Sequence, residues 1–155
     1  WFSTFDLNGD GRPDLIQTAS TDREGGYIWK EDSLGYWKVW FNTGEGFTAL
    51  AHDWDVPESG LDDGFFYPFW SQASRHFFVR DISGDGLPDM IQSSDPNASQ
   101  GQVFTDHEGA YWRVWFGNGD GFETNVRRWS VPPSGSGSGF YATYSGASED
   151  TFHLT

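Results

Sequence analysis

Two nine-residue stretches of the chain carry an unusual density of acidic side chains. Residues 6–14 read DLNGDGRPD and residues 81–89 read DISGDGLPD, so each stretch places three aspartates around two glycines. Carboxylates this close together repel one another unless something offsets the repulsion. A bound cation would supply the missing positive charge. The two stretches, called loop 1 and loop 2 below, are therefore candidate cation sites.

The residue types in both loops favour calcium over other metals. Calcium takes about six to eight oxygen ligands from carboxylates, amides, hydroxyls and backbone carbonyls. Magnesium keeps several waters, and zinc prefers His or Cys ligands. Alternate loop positions supply oxygens, and a glycine at the sixth position permits a sharp turn. The predicted ligands of two Ca²⁺ ions are Asp6, Asn8, Asp10, the Arg12 carbonyl and Asp14 in loop 1, and Asp81, Ser83, Asp85, the Leu87 carbonyl and Asp89 in loop 2.

An exposed turn without any metal is the alternative interpretation of these residues. Both loops begin like the EF-hand pattern D-x-[DN]-x-[DN]-G, but position 12 is Gln17 or Gln92 instead of glutamate. Two copies that keep every acidic position in register favour the cation over the bare turn. Because Ser83 stands where loop 1 has Asn8, we expect loop 2 to bind more weakly.

The loops belong to an internal repeat of 75 residues that aligns without a gap. YWKVWF at 36–41 falls on YWRVWF at 111–116, and 25 of the 75 aligned positions are identical. We expect one unit at 1–75 and a second at 76–150. The last five residues, 151–155, align with the start of a unit. They are expected to form the first strand of a next unit or a strand donated to a neighbour.

Short aromatic runs separated by Gly, Pro and Asp predict strands and no long helices. In the first unit we expect four or five strands, near 2–6, 14–18, 36–42 and 47–56 and in the aromatic segment at 65–70. Tight turns are expected at 42–47 and, in the second unit, at 117–122. Alternation along 36–41 puts large apolar groups on both faces, which predicts a sheet covered on both sides. The predicted fold is all-β, with two tandem 75-residue antiparallel sheets resembling propeller blades.

The pattern FxxxDxNGDGxPDLI, followed by WxVWFNTGxGF and WxVP, resembles the FG-GAP or VCBS repeat class. Such repeats form blades of calcium-binding β-propellers in integrin α-chains, fungal lectins and secreted bacterial proteins. The FNTGEGF and WDVP portions are most similar to repeats of Rhs-like and toxin-complex shell proteins. The resemblance implies calcium in both loops. Two blades cannot close a propeller of about four to eight blades, so a longer stack or a multi-chain assembly stays open.

The charge and composition of the chain restrict the classes of molecule that it is expected to bind. Nine basic against 23 acidic residues give a net charge of −14, which disfavours nucleic acid and anionic membranes. No apolar run approaches the length of a membrane span. There is no Cys, and no G-x-S-x-G nucleophile motif. Calcium, neighbouring repeats, further copies of the chain and glycans are the expected partners.

These observations predict a non-enzymatic structural or adhesive module, secreted and extracellular or on the cell surface, that assembles head to tail. A lectin on the same scaffold is one alternative, with aromatic side chains stacking on sugars; the candidates are Tyr27, Trp29, Trp70 and Tyr144. Scaffold blades of a toxin shell are another. Asn97 begins an N-glycosylation sequon, and residues 132–139 form a Ser-rich stretch open to O-glycosylation.

Overall fold

A computed structural model describes residues 2–20, 28–31, 34–58, 77–93, 95 and 103–133 of the 155-residue chain. Within these ranges the chain forms strands and no helix, so the predicted all-β class is confirmed. None of the described segments is a helix that could cross a membrane. The strands are β1 (Phe2–Phe5), β2 (Asp14–Gln17), β3 (Trp29–Glu31), β4 (Leu34–Trp40), β5 (His52–Val56), β6 (Phe77–Arg80), β7 (Asp89–Gln92), β8 (Phe104–Asp106), β9 (Gly109–Trp115) and β10 (Arg127–Ser130).

Each repeat unit forms one five-stranded antiparallel sheet, and the two sheets have the same pairing. Sheet 1 runs β1-β2-β4-β5, and β3 pairs with the beginning of β4 on the side where β2 pairs with its end. Sheet 2 repeats this order as β6-β7-β9-β10, with β8 beside β9. The repeat in sequence is therefore a repeat of a blade-like sheet.

The observed strands differ from the predicted ones in two ways. The short strands β3 and β8 were not predicted, and β5 begins at His52, later than the predicted strand at 47–56. Phe47 instead bridges Asn42, and the N–H of Thr48 donates to the carbonyl of Phe41 at 2.9 Å, which closes the tight turn. The predicted segments 65–70 and 151–155 lie outside the described residues.

The two faces of each sheet follow from strand register. In sheet 1, Ile16 lies opposite Val39 and Trp37 opposite Trp54, so these four side chains share one face, here called the front face. Phe2, Leu15 and Trp40 lie on the opposite face, the back face, and Phe47 extends it. The same register, shifted by 75 residues, defines the front and back faces of sheet 2.

The core lies between the front face of sheet 1 and the back face of sheet 2. The ring of Phe122 is 5.7 Å from that of Trp37 and 6.2 Å from that of Trp54, both edge to face. A parallel bridge between Asp55 and Gly121 adds a backbone link, in which the N–H of Phe122 donates to the Asp55 carbonyl. The buried residues of this cluster are Leu7, Ile16, Ile28, Trp37, Val39, Trp54, Val56, Phe77, Met90, Trp115 and Phe122.

The two sheets differ in how well their faces are covered. Sheet 2 has buried side chains on both faces, because a second cluster of Ile91, Val103, Trp112 and Val114 lies around its front face. Sheet 1 is buried on its front face, whereas Phe2 and Phe47 on its back face remain 61% and 47% exposed. The prediction that both faces are covered therefore holds for sheet 2, whereas the back face of sheet 1 is only partly covered, with Tyr36 and Trp40 half-buried.

Candidate metal centre

The first aspartate of each loop accepts hydrogen bonds from the backbone of its own turn. In loop 1, the Asp6 carboxylate accepts from the N–H groups of Gly9, Asp10 and Gly11 at 2.7–3.1 Å. In loop 2, the Asp81 carboxylate accepts from Gly84 and Gly86 at 2.6 and 2.9 Å. Backbone N–H groups therefore offset part of the negative charge that the aspartates bring together in each loop.

The backbone conformation of the glycines makes these hydrogen bonds to the first aspartate possible. Gly9 and Gly11 have φ of 78° and 84°, and their counterparts Gly84 and Gly86 have φ of 81° and 92°. Residues other than glycine rarely adopt this left-handed region of backbone conformation. It turns successive N–H groups inward toward the first aspartate. The sharp turn predicted at the sixth loop position is confirmed.

The middle aspartates, Asp10 and Asp85, differ between the loops because of the residue two positions later. Asp10 accepts from the backbone N–H of Arg12 at 2.9 Å and forms an ion pair with the Arg12 guanidinium at 2.8 Å. Asp85 accepts from the N–H of Leu87 at 2.9 Å, and Leu87 offers no charge. Among the described residues, Oδ2 of Asp85 has no hydrogen-bond partner. Loop 2 therefore has a carboxylate oxygen available to a cation, whereas the equivalent oxygen of Asp10 in loop 1 contacts Arg12.

The last aspartates, Asp14 and Asp89, are fully buried and have both oxygens occupied. Asp14 accepts from the N–H of Leu7 at 3.0 Å and from that of Asn42 at 2.9 Å. Asp89 accepts from Ile82 and Ser83 on one oxygen and from Gly117 on the other, each at 3.0 Å. Both carboxylates thus tie their loop to the tight turn after the central strand.

The tight turns approach the loops closely, and each does so in its own way. A Cβ on Gly117 would lie 2.3 Å from the Pro88 carbonyl oxygen, so glycine is required there. Asn42, at the equivalent position, donates from its side-chain amide to the Pro13 carbonyl at 3.0 Å. The tight turns predicted at 42–47 and 117–122 are confirmed, and each contains a glycine with positive φ: 88° at Gly44 and 83° at Gly119.

Hydrogen bonding also keeps the outer carboxylates ionised. The N–H of Arg12, with smaller contributions from its guanidinium, holds the pKa of Asp10 below its usual value of 3.8. For Asp81 partial desolvation is the largest effect and raises the pKa, but the N–H groups of Gly84 and Gly86 outweigh it and the net pKa is lowered. Metal binding to a carboxylate requires this ionised form.

The predicted ligands have the chemistry that calcium requires. Their hydrogen bonds, however, are those of a turn stabilised by its own backbone N–H groups. The predicted ligands are all oxygens, as calcium requires. In the described part of the chain, however, no group of three or more His, Asp or Glu side chains is placed to hold a metal ion. Asp81, Ser83 and Asp85 are exposed, which lets their oxygens turn toward a cation, whereas Asp14 and Asp89 are held inside.

The two loops lie side by side where the sheets meet. A Cβ on Gly9 would lie 2.8 Å from Cδ2 of Leu87 and 3.3 Å from the Gly86 carbonyl oxygen. Close to this boundary, Nε2 of His52 in sheet 1 is 2.9 Å from Oδ1 of Asp120 in the second unit. Like Asn42 and Gly117, this pair was not predicted. Its members are 68 positions apart, so no local motif marks them.

The other candidate residues are only partly described. Trp29 stacks on Tyr36, with ring centroids 6.1 Å apart, and the Lys38 ammonium lies 5.6 Å from the Trp29 ring. Tyr27, Trp70, Tyr144, Asn97 and most of the Ser-rich stretch at 132–139 lie outside the described residues. Comparison of the chain with models of protein families, with curated proteins and with solved structures gave no match.

Proposed function

We propose that the chain is a non-enzymatic structural repeat module that acts outside the cell and binds calcium through its acidic loops. One observation carries the proposal: both loops build the same turn from the same aspartates, and the two turns lie against each other at the sheet boundary. A cation in either loop would therefore stiffen the junction as well as the loop.

The proposed ligands in loop 2 are Asp81, Ser83, Asp85 and the Leu87 carbonyl, and Asp89 closes the set. Their equivalents in loop 1 are Asp6, Asn8, Asp10, the Arg12 carbonyl and Asp14. Calcium would attract the exposed carboxylate oxygens that now face solvent or Arg12, and would neutralise charge on an acidic surface. The buried Asp14 and Asp89 anchor the loop base through their backbone donors, and each would bind the ion through a remaining lone pair of its carboxylate.

The contacts of loop 1 argue against the affinity order expected from the sequence. Asn8 supplies an amide oxygen where loop 2 has the Ser83 hydroxyl, which favours loop 1 on ligand type alone. The Arg12 guanidinium, however, lies 2.8 Å from Asp10 and opposes a second cation there. We assign the stronger site to loop 2.

Isothermal titration of the chelator-treated chain with calcium tests the proposal, with the melting temperature measured alongside. We expect saturable binding and a higher melting temperature, and Asp81→Asn/Asp85→Asn should lose the stronger site while the weaker binding at loop 1 remains. Asp53→Asn, which removes an exposed carboxylate outside the loops, is the matched control and should bind as the unaltered chain does. Absence of binding heat together with an unchanged melting temperature at millimolar calcium would refute the proposal.

A further inference from the structure

We propose that Asn118 is a site of spontaneous deamidation and isoaspartate formation, and that this change weakens the junction between the two sheets. In the reaction, the backbone nitrogen of Gly119 attacks the side-chain amide of Asn118. An Asn-Gly pair favours this reaction, because glycine has no Cβ to obstruct the approach. The inference concerns the tight turn at 117–122 and goes beyond the proposed calcium binding, on which it does not depend.

The chain contains two Asn-Gly pairs, at 8–9 in loop 1 and at 118–119 in the tight turn of the second unit. In loop 1, the N–H of Gly9 donates to the Asp6 carboxylate at 2.8 Å. The glycine nitrogen must lose its proton to attack, and a carboxylate that accepts the hydrogen bond of this N–H opposes that loss and holds the nitrogen in place. Loop 1 therefore protects Asn8.

The equivalent turn in the first unit explains why Gly119 lacks a similar acceptor. There, the N–H of Gly44 donates to Oδ1 of Asn42 at 2.9 Å. The second unit has Gly117 at the position of Asn42, because a Cβ would lie 2.3 Å from the Pro88 carbonyl oxygen. Gly117 has no side chain that could accept. Among the described residues, the N–H of Gly119 consequently has no hydrogen-bond partner.

The side chain of Asn118 is exposed and folds over the backbone that would attack it. Its Oδ1 accepts from the N–H of Asp120 at 3.0 Å, an arrangement that places the side-chain amide beside the intervening Gly119. This hydrogen bond also polarises the side-chain carbonyl and makes Cγ a better electrophile. The turn thus brings an available nitrogen to an activated amide.

The reaction needs only water and a base. Hydroxide takes the proton from the Gly119 nitrogen, the nitrogen forms a bond to Cγ of Asn118, and the side-chain amino group leaves as ammonia after taking a proton from water. One water then opens the cyclic succinimide. Attack at Cγ breaks the bond from Cγ to nitrogen and gives aspartate. Attack at the backbone carbonyl carbon breaks the original peptide bond and gives isoaspartate, in which the main chain runs through the side chain.

Isoaspartate alters a turn that supports the core. The N–H of Asn118 donates to the carbonyl of Gly121 at 3.1 Å, and the N–H of Phe122 donates to the Asp55 carbonyl of sheet 1 at 3.3 Å. The isoaspartyl linkage lengthens the main chain inside this hydrogen-bonded turn. Phe122 follows the turn directly, and its ring lies 5.7 Å from that of Trp37 at the junction. The aged chain is therefore less stable than the fresh one.

The first unit supplies a conservative replacement for Asn118. Thr43 occupies the equivalent position, and its Oγ1 accepts from the N–H of Glu45 at 3.4 Å, as Asn118 accepts from Asp120. Threonine thus forms the same turn and has no amide to lose. Asn118→Thr should fold as the unaltered chain does and should not deamidate.

Ageing of the full chain in chelator at mildly alkaline pH, followed by peptide mass spectrometry, tests the inference. We expect Asn118 to convert at least about tenfold faster than Asn8, because a hydrogen bond to a carboxylate must be broken in loop 1. Labelling by an isoaspartate-specific methyltransferase should appear at position 118, and the melting temperature should fall over the same time course. Asn118→Thr should stay unlabelled at this turn and keep its melting temperature.

A variant of the first unit isolates the effect of the missing acceptor. Thr43→Asn creates a further Asn-Gly pair, but Asn42 holds the N–H of Gly44, so this pair should deamidate slowly. Adding Asn42→Gly should accelerate the reaction there by roughly two- to tenfold. Equal conversion of Asn8 and Asn118, or conversion of Asn118 without loss of melting temperature, overturns the inference.

Discussion

Oδ1 of Asp14 accepts a hydrogen bond from the backbone N–H of Asn42, 28 residues later, at 2.9 Å. Asp89 repeats the bond with Gly117 at 3.0 Å across the same separation. Both carboxylates are fully buried. A buried carboxylate is stabilised by donors on both oxygens, and each aspartate here has them. These two residues connect loop to turn, whatever binds at the loop's outer edge.

The first prediction concerns this link. Asp89→Asn should lower the free energy of unfolding by about 2–3 kcal/mol, because the amide directs an N–H toward N–H groups and leaves buried donors unpaired. Urea denaturation in chelator measures the change. Asp85→Asn, at an exposed position with one hydrogen bond, should stay within about 0.5 kcal/mol of the unaltered chain. Equal effects of the two variants would show that the buried bonds are unimportant.

Much of the fold could be predicted from the repeat, because the 75-residue offset aligns strands, loops and turns at once. The short strands β3 and β8 could not, since three-residue strands such as Trp29–Glu31 are too short to alternate. The role of the aspartates was only half predictable. Their spacing indicates that positive charge must surround them. It does not reveal that backbone N–H groups supply part of that charge, because every residue except proline has one.

The different burial of the back faces of the two sheets could not be predicted from the sequence either. Trp40 and Trp115 occupy equivalent positions in equivalent strands, and nothing local distinguishes them. Trp115 is 4% exposed because another sheet lies over it, whereas Trp40 is only partly buried. Burial here depends on which unit has a neighbour on that side. The same holds for Phe47 and Phe122, which are equivalent in sequence but 47% and 4% exposed.

A second prediction exchanges the residues that distinguish the loops. Arg12→Leu should strengthen calcium binding at loop 1 by roughly three- to tenfold, because it removes a positive charge beside Asp10. Leu87→Arg should weaken loop 2 by a similar factor. Titration calorimetry at low salt measures both effects, and added salt should shrink them. If neither variant changes the affinity, Arg12 does not compete with the cation.

A third prediction concerns pH. Arg128 donates two hydrogen bonds at 3.0 Å to Asp106, and this contact lowers the pKa of that carboxyl below 3.8. A folded-state pKa below the unfolded one gives stability that is fully present above about pH 5 and is lost as pH falls through the folded value. Asp106→Asn should therefore flatten the decline in stability between about pH 4 and pH 2. Arg128→Met, alone or combined with Asp106→Asn, should flatten it equally, and an unchanged acid limb in all three variants would contradict the assignment.

The last prediction compares two phenylalanines that the repeat makes equivalent. Phe122→Ala should lower the free energy of unfolding by about 3–5 kcal/mol, because its ring fills the space beside Trp37 and Trp54. Phe47→Ala should change it by less than about 1 kcal/mol, because its ring lies half exposed on the back face of sheet 1. Urea denaturation of the two variants measures both changes. Equal losses at the two positions would mean that the back face of sheet 1 is packed as closely within the chain as the back face of sheet 2.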